Sequence, residues 1–357
     1  METRHRVVVD DSRQLPLPDD SVELVVTSPP YPMIEMWDDV FAALDPSVGE
    51  ALDAAEGRRA FELMHEVLAD VWAEVERVLV DGGIACVNVG DATRSVDGSF
   101  RVYQNHARVV DAFESLGFEP LPEILWRKPA NSGAKFMGSG MVPPNAYVTL
   151  EHEYVLVFRN GTESRSFEPG ADRRYEAAYF WEERNRWFSD VWADVRGEHQ
   201  TLSRDDLRDR SAAYPFEIPY RLINMYSVYG DAVLDPFWGT GTTSLAALVA
   251  GRNSVGVERE REFTRVFDER VAEAPSLSRS VVADRLAAHE SFVADRRADG
   301  ETFDYESETY GFPVTTSQET DLRLYTVESV AEADDGYRAV HAPVEQVPAD
   351  AAETDPQ

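Results

Sequence analysis

Asp235-Pro236-Phe237-Trp238-Gly239-Thr240-Gly241-Thr242-Thr243 is the stretch on which the fold turns. A short apolar run, Ala232–Leu234, precedes it, and a helix-forming run, Thr243–Ala250, follows it. The pattern predicts a strand, a tight loop and a helix. Gly239 and Gly241 permit sharp turns and close approach of a ligand to the backbone. The free amides of a helix start attract a carboxylate or phosphate. The next apolar run, Ser254–Val257, ends at Glu258, an acid placed to accept both hydroxyls of a ribose. The loop has neither the G-x-G-x-x-G of nicotinamide folds nor the G-K-[ST] of P-loops. It suits a nucleoside with a small zwitterionic tail, S-adenosylmethionine; spacing alone leaves other nucleotides open. On this reading Asp235, Pro236, Phe237, Gly239, Gly241, Thr242 and Glu258 bind the cofactor.

Outward from this loop the same alternation recurs. Apolar β-branched runs at Arg6–Val9, Val22–Thr27, Ile84–Val89, Ile124–Trp126 and Tyr154–Arg159 predict further strands. Helical periodicity marks Phe61–Leu79, Gln104–Leu116, Tyr220–Tyr229 and Arg261–Ala272. Short buried strands alternating with helices predict an α/β fold with a mostly parallel, doubly wound sheet. A polar, arginine-rich and aromatic stretch, 160–212, interrupts the pattern. It divides the chain into 1–159, the insertion 160–212, a second half 213–275 of the same domain, and an acidic extension 276–357. Within that extension a hairpin is expected at Leu322–Val327 and Tyr337–Val340, and a disordered end at Glu345–Gln357.

Thr27-Ser28-Pro29-Pro30-Tyr31 stands at the C-terminal end of the run Val22–Val26, where open α/β sheets hold their ligands. Two prolines remove two backbone donors and fix φ, leaving rigid carbonyl acceptors. Acceptors followed by an aromatic plane suit a flat ring carrying an exocyclic amine. The amine donates to the Ser28 side chain and the Pro29 carbonyl, and Tyr31 stacks on the ring. Ser28, Pro29, Pro30 and Tyr31 are therefore the candidate catalytic residues.

In that order the two motifs resemble those of the β-class amino-group DNA methyltransferases, over roughly residues 5–270. The resemblance implies a Rossmann-like S-adenosylmethionine-dependent fold and methyl transfer to a base flipped out of double-stranded DNA. Asp11-Ser12 resembles the family's Gly-Asp-Ser element, whose acid contacts the cofactor adenine; here Asp10 replaces the glycine. Trp126-Arg127-Lys128-Pro129 and His152-Glu153-Tyr154 resemble the late-sheet motifs behind the target pocket. Tyr214-Pro215-Phe216-Glu217-Ile218-Pro219 resembles the segment that closes over the methionine end of the cofactor, which implicates Pro215. Ser-Pro-Pro-Tyr leans toward cytosine N4 rather than adenine N6. The resemblance implies a stand-alone modification enzyme of a restriction-modification type, acting on a short palindrome such as CTAG. A catalytically inactive DNA-binding or regulatory protein of the same fold is the alternative from another class.

A C5-cytosine reaction needs a Pro-Cys nucleophile. The single cysteine, Cys86, lies inside a predicted strand with no proline beside it and reads as core. One cysteine also excludes a disulfide framework, and no metal is expected. Without a run of eighteen apolar residues no membrane segment is expected, and the default location is the cytoplasm.

The net charge is −32, from 34 Lys+Arg against 66 Asp+Glu, and the only lysines are Lys128 and Lys135. Loss of lysine along the whole chain resembles adaptation to a high-salt cytoplasm, as in haloarchaea. At molar salt the screening length is only about 3 Å, so net charge ceases to argue against a DNA partner. The two retained lysines flank the predicted target pocket and are read as DNA contacts. Arg173, Arg174, Arg184 and Arg186, interleaved with Tyr175, Tyr179, Phe180, Trp181 and Trp187, make 160–212 the expected target-recognition segment.

Overall fold

The computed structural model describes residues 1–128, 137–138, 140–196 and 214–345. Its sixteen described strands are β1 (Glu2–Val9), β2 (Val22–Thr27), β3 (Leu79–Val89), β4 (Ala92–Val96), β5 (Ser99–Tyr103), β6 (Phe118–Arg127), β7 (Met137–Gly138), β8 (Ala146–Tyr147), β9 (His152–Asn160), β10 (Val191–Trp192), β11 (Ala232–Asp235), β12 (Asn253–Glu258), β13 (Tyr305–Glu306), β14 (Pro313–Val314), β15 (Tyr325–Ala333) and β16 (Gly336–Pro343). Ten of them form one sheet in the order β10-β6-β9-β3-β2-β11-β12-β1-β16-β15. The centre, from β3 through β1, is parallel; β9 runs antiparallel to β3 and β6, and β16 antiparallel to β1.

Successive residues of the central strands face opposite layers, as the two-residue period of a strand requires. Two short helices, α1 (Asp38–Leu44) and α2 (Pro46–Asp53), lead into the long α3 (Gly57–Val78) on one face of the sheet. Val25 of β2 joins a core with α3 and α4 (Asn105–Ser115), through Met64, Leu68, Trp72 and Phe113. Its neighbours Leu24 and Val26 face α7 (Glu217–Tyr226) and α8 (Thr242–Val249), through Leu222, Ile223, Ala246 and Val249. The short helices α5 (Asp172–Glu176) and α6 (Trp181–Trp187) belong to the insertion. Strands buried on both faces read as continuous apolar runs, which explains why the sequence reveals them. Cys86 of β3 lies in the second core, fully buried, with burial pushing its thiol up. It is a packing residue.

The expected doubly wound sheet is present, with two departures. The C-terminal hairpin forms, but β16 adds to the β1 edge, so the extension contributes β15 and β16 to the main sheet. The helix expected at Arg261–Ala272 is α9, Arg261–Ala298, and a boundary at 275/276 falls inside it. Pro275 lacks the amide that would bond the preceding turn. Packing carries the helix past it: Val271 and Ala274 are buried before the proline, and Ser278 Oγ accepts the Val327 amide after it, at 3.0 Å.

The insertion packs on this extension. Phe180 is buried with Val282, Leu286, Leu322 and Leu324. Arg285 of α9 grips Glu183 of α6 through two bonds of 2.6 and 2.7 Å, with both side chains under a tenth exposed. Removing one partner leaves a buried charge uncompensated, which costs about 3–5 kcal/mol. Arg285→Met is expected to lower unfolding free energy by that amount in urea titrations; a loss below about 1 kcal/mol would contradict the role given to this pair.

Candidate functional site

The two motifs lie 208 residues apart in the chain and meet in space. Parallel pairing of Val233 with Leu24 and Leu234 with Val25 brings the C-terminal ends of β11 and β2 side by side. There Thr27 Oγ1 donates to Asp235 Oδ1 at 2.7 Å. Thr243, in the first turn of α8, donates to Asp235 Oδ2 at 2.6 Å, and the Phe237 amide donates to Oδ1 at 3.1 Å. Tyr214 donates in turn to Thr243 Oγ1. Asp235 is thus the pin joining the amine motif to the loop that follows β11. Burial pushes its carboxyl up to about 6, against the pull of these donors.

Between the motifs lies a cavity of about 540 Å³. Ser28, Pro29, Pro30 and Tyr31 line one end; Asp11, Ser12 and Glu258 line the other; Asp235, Pro236, Phe237, Gly239 and Thr242 lie between. An apolar wall comes from α1 and α3, through Val40, Phe41, Val67 and Val71. Nothing in the sequence pattern had singled out α1. Glu258 accepts the Gly239 amide and the Glu260 amide, each at 2.9 Å, and burial raises its carboxyl. A carboxylate has about four lone-pair sites, so acceptor capacity for hydroxyls remains. Asp11 is held by Arg13 through its Nε and terminal nitrogen, which keeps its carboxyl low. Ser12 donates to the Pro236 carbonyl. The donor and acceptor set suits S-adenosylmethionine: an acid for an ammonium, an acid for ribose hydroxyls and an apolar wall for a purine.

Two residues expected at the cofactor act from outside the cavity. Gly241 caps α8 with φ +77°, and a Cβ there would stand 2.4 Å from Phe267. It shapes the loop and does not line the cavity. Pro215 is buried, and its neighbour Tyr214 is the residue that reaches the cavity wall.

A second network sits behind Tyr31. Its hydroxyl donates to Glu153 Oε2 at 3.0 Å and accepts from Asn88 Nδ2 at 2.8 Å. Asn88 also donates to Glu153 Oε2 at 2.7 Å. Ser28 Oγ lies 3.1 Å from the Tyr31 oxygen, whose own proton is already given to Glu153, so Ser28 is the donor. Burial and the Glu153 charge raise the Tyr31 phenol well above its ordinary value. Lys128 donates to Glu153 Oε1 and lies 5.1 Å over the Trp126 ring. The retained lysine therefore balances a buried acid, where a contact with DNA was expected. Lys135 lies outside the described residues. Asn88 and Glu153 were not singled out as site residues. The available signal was an acid at the start of an apolar strand run together with a lysine in a chain almost devoid of them.

The described arginines of the insertion stand away from this cavity. Arg165 pairs with Asp231 at 2.7 Å and Arg173 reaches it at 3.8 Å. Asp231 precedes β11, whereas Asp235 closes it at the cavity, so this cluster lies at the opposite end of the sheet. Arg173 and Arg174 both lie over the Phe167 ring. Arg184 lies over Phe188, and Arg186 is exposed on α6. Phe180 and Trp187 are buried, so they cannot fill a groove in DNA. None of these five arginines lines the cavity at Ser28; the section 197–212 of the insertion lies outside the described residues. Among the described residues no group of His, Cys, Asp and Glu could hold a metal, and no helix is long and apolar enough to cross a membrane.

The shifted Asp235 makes a pH prediction. An ammonium pairs only with the charged form of a carboxylate, so if Asp235 holds the cofactor's ammonium, affinity should fall as pH drops below about 6. The sign for stability is opposite. The folded carboxyl sits above its unfolded value, so the native state takes up the proton first and the empty protein gains stability as pH falls from about 6 toward 4. Calorimetric titrations between about pH 5 and 8 check the first statement; a dissociation constant unchanged at about pH 5 would contradict it.

Residues 22–269 match the N6/N4 methyltransferase family model, a DNA methylase family. The chain is 51% identical over 329 residues to the type II methyltransferase M.MthZI of Methanothermobacter thermautotrophicus, covering 91% of each. It is 47% identical over 281 residues to the type II methyltransferase M.MjaI of Methanocaldococcus jannaschii, covering 75% of this chain and 91% of that protein. Among solved structures it resembles TTHA0409 of Thermus thermophilus complexed with S-adenosyl-L-methionine, at 32% identity and a TM-score of 0.58, covering 74% of this chain and 92% of that one.

Proposed function

The chain belongs to the N6/N4 family of DNA methylases, and from that premise we propose that it is a type II enzyme methylating the exocyclic N4 of cytosine in a short DNA site. The observation that carries this reading is the Thr27–Asp235 bond, which sets the amine motif and the cofactor loop at one cavity. S-adenosylmethionine supplies a methyl group on a sulfonium that leaves without help from an acid. Asp235 would hold the ammonium of its tail, Glu258 its ribose, and Asp11 and Ser12 its adenine side.

The target amine is conjugated into its ring and is a poor nucleophile. Hydrogen bonds to Ser28 Oγ and the Pro29 carbonyl would draw it toward tetrahedral geometry and aim its lone pair at the methyl group. Positioning then supplies most of the barrier reduction. A base must leave the duplex to enter the cavity, and Tyr31 would stack on it. The Tyr31 ring is fixed for this by Asn88 and Glu153 at its hydroxyl and by Gly90 at its edge, where a Cβ would stand 3.1 Å away. Ser28 in the first position of the motif favours cytosine over adenine.

The scarcity of lysine supports work beside DNA in a high-salt cytoplasm, and the assay follows from that. Labelled cofactor, unmethylated DNA and concentrated KCl should yield labelled N4-methylcytosine on nucleoside analysis. Labelled N6-methyladenine would transfer the reading to adenine. Bound cofactor with no label in DNA would favour the inactive, DNA-binding alternative. Mapping the label tests whether the site is a palindrome such as CTAG.

A further inference from the structure

We infer that Ser28, Tyr31 and Glu153 form a proton route from the target amine to the solvent edge at Lys128. This deepens the proposed amine methylation and rests on it. When the amine nitrogen forms its bond to the methyl carbon, the carbon–sulfur bond breaks and the nitrogen is left cationic with two protons. One must leave, and the amine sits in a cavity walled by prolines and aromatics. Ser28 Oγ, the acceptor of that amine, cannot keep a second proton. Its own hydrogen already points at the Tyr31 oxygen at 3.1 Å, and the Tyr31 hydrogen points at Glu153 Oε2 at 3.0 Å. Once the amine passes its proton to Ser28, two shifts along existing bonds carry the charge away: Ser28 to Tyr31 and Tyr31 to Glu153. Protons and charge balance, because the carboxylate ends as a carboxylic acid and the methylated amine ends neutral.

The surroundings fit a route rather than a clamp alone. Glu153 is a buried acid on β9, and Asn88 of β3 points its two amide hydrogens at Tyr31 and Glu153. That orientation leaves Asn88 Oδ1 without a partner among the described residues, so the amide serves the carboxylate at its own expense. The other carboxylate oxygen meets Lys128, whose side chain is 47% exposed. Lys128 pairs with Glu153 and marks where its proton reaches water. Among the described residues, Lys128, Tyr31 and Asn88 are the polar groups that face this carboxylate. Either base class could occupy the site, so the inference does not depend on cytosine against adenine.

Glu153→Gln keeps a polar group of the same shape that cannot take the proton. Tyr31→Phe keeps the stacking ring and removes the relay hydroxyl. Each should slow single-turnover methylation by about 100-fold, the low end of general-base effects. Cofactor and DNA binding, measured at equilibrium, should stay within about threefold, which also verifies folding. The double variant should be no more than about threefold slower than either single, because both break one route. Losses that multiply in the double variant, or Glu153→Gln turning over at the wild-type rate, overturn the route. If the wild-type chain methylates no DNA, the underlying reading fails and the route with it.

Discussion

Gly241→Ala is expected to cost about 2–5 kcal/mol of folding stability and to weaken cofactor binding by at least about tenfold. Two penalties combine. At φ +77° a side chain adopts the left-handed region, for about 1–2 kcal/mol. The new methyl also lands 2.4 Å from Phe267 and 2.8 Å from Trp238, and overpacking a filled core costs about 1–3 kcal/mol more. The functional loss follows from what Trp238 holds. Its indole donates to Ser244 in the first turn of α8 at 2.8 Å, and its amide to Val257 of β12 at 3.2 Å. Moving the ring moves the loop that faces the cofactor. Gly239→Ala is the control for stability: its φ is +54°, but the nearest protein atom to a Cβ is 3.9 Å away, so only the backbone penalty applies to folding. Urea unfolding of both variants and calorimetric titration of Gly241→Ala check this. Gly239→Ala unfolding at lower urea than Gly241→Ala would contradict it.

Asp235→Asn should separate stability from binding. Asparagine can still accept from Thr27 and the Phe237 amide, and it can donate toward Thr243. The buried charge disappears. A carboxyl raised to about 6 from 3.8 corresponds to about 3 kcal/mol held against the folded state at neutral pH, so the variant should unfold at equal or higher urea concentration. Cofactor affinity should drop by about tenfold to a hundredfold, the worth of a hydrogen bond to a charged group. Its dependence on pH near 6 should vanish. A variant that binds as the wild type does would remove Asp235 from the ligand's ammonium. One that unfolds much more readily would make the carboxylate purely structural.

What was legible in the chain is what burial on two faces imposes. Val22–Thr27, Ala232–Leu234 and Ser254–Val257 had to be apolar throughout, and the loops after them carry their own signature in Pro-Pro and Gly-x-Gly. The meeting of Ser28 with Asp235 was legible only through the rule that ligands bind at strand C-termini. Contacts set by tertiary packing left weaker traces. Strands β15 and β16 join the sheet beside β1, and no local pattern states which edge a hairpin will extend. Helix α9 outruns Pro275 because burial on both sides of the proline outweighs one lost amide bond. The arginine–aromatic segment looked like a reading head for DNA. In the fold much of its aromatic character is core, with Phe180 and Trp187 buried, and Arg165 and Arg173 serve Asp231 at the far end of the sheet. Glu153 was the costliest omission. Its meaning depends on Tyr31, Asn88 and Lys128, which come from three other strands or their ends.

The structure of a ternary complex with target DNA and an unreactive cofactor analogue tests the central claim most directly. The account predicts one base out of the duplex, its amine within hydrogen-bonding distance of Ser28 Oγ and the Pro29 carbonyl, its ring against Tyr31, and the analogue's ammonium at Asp235. A target base still stacked in the duplex, or an analogue bound away from Asp235 and Glu258, would contradict it.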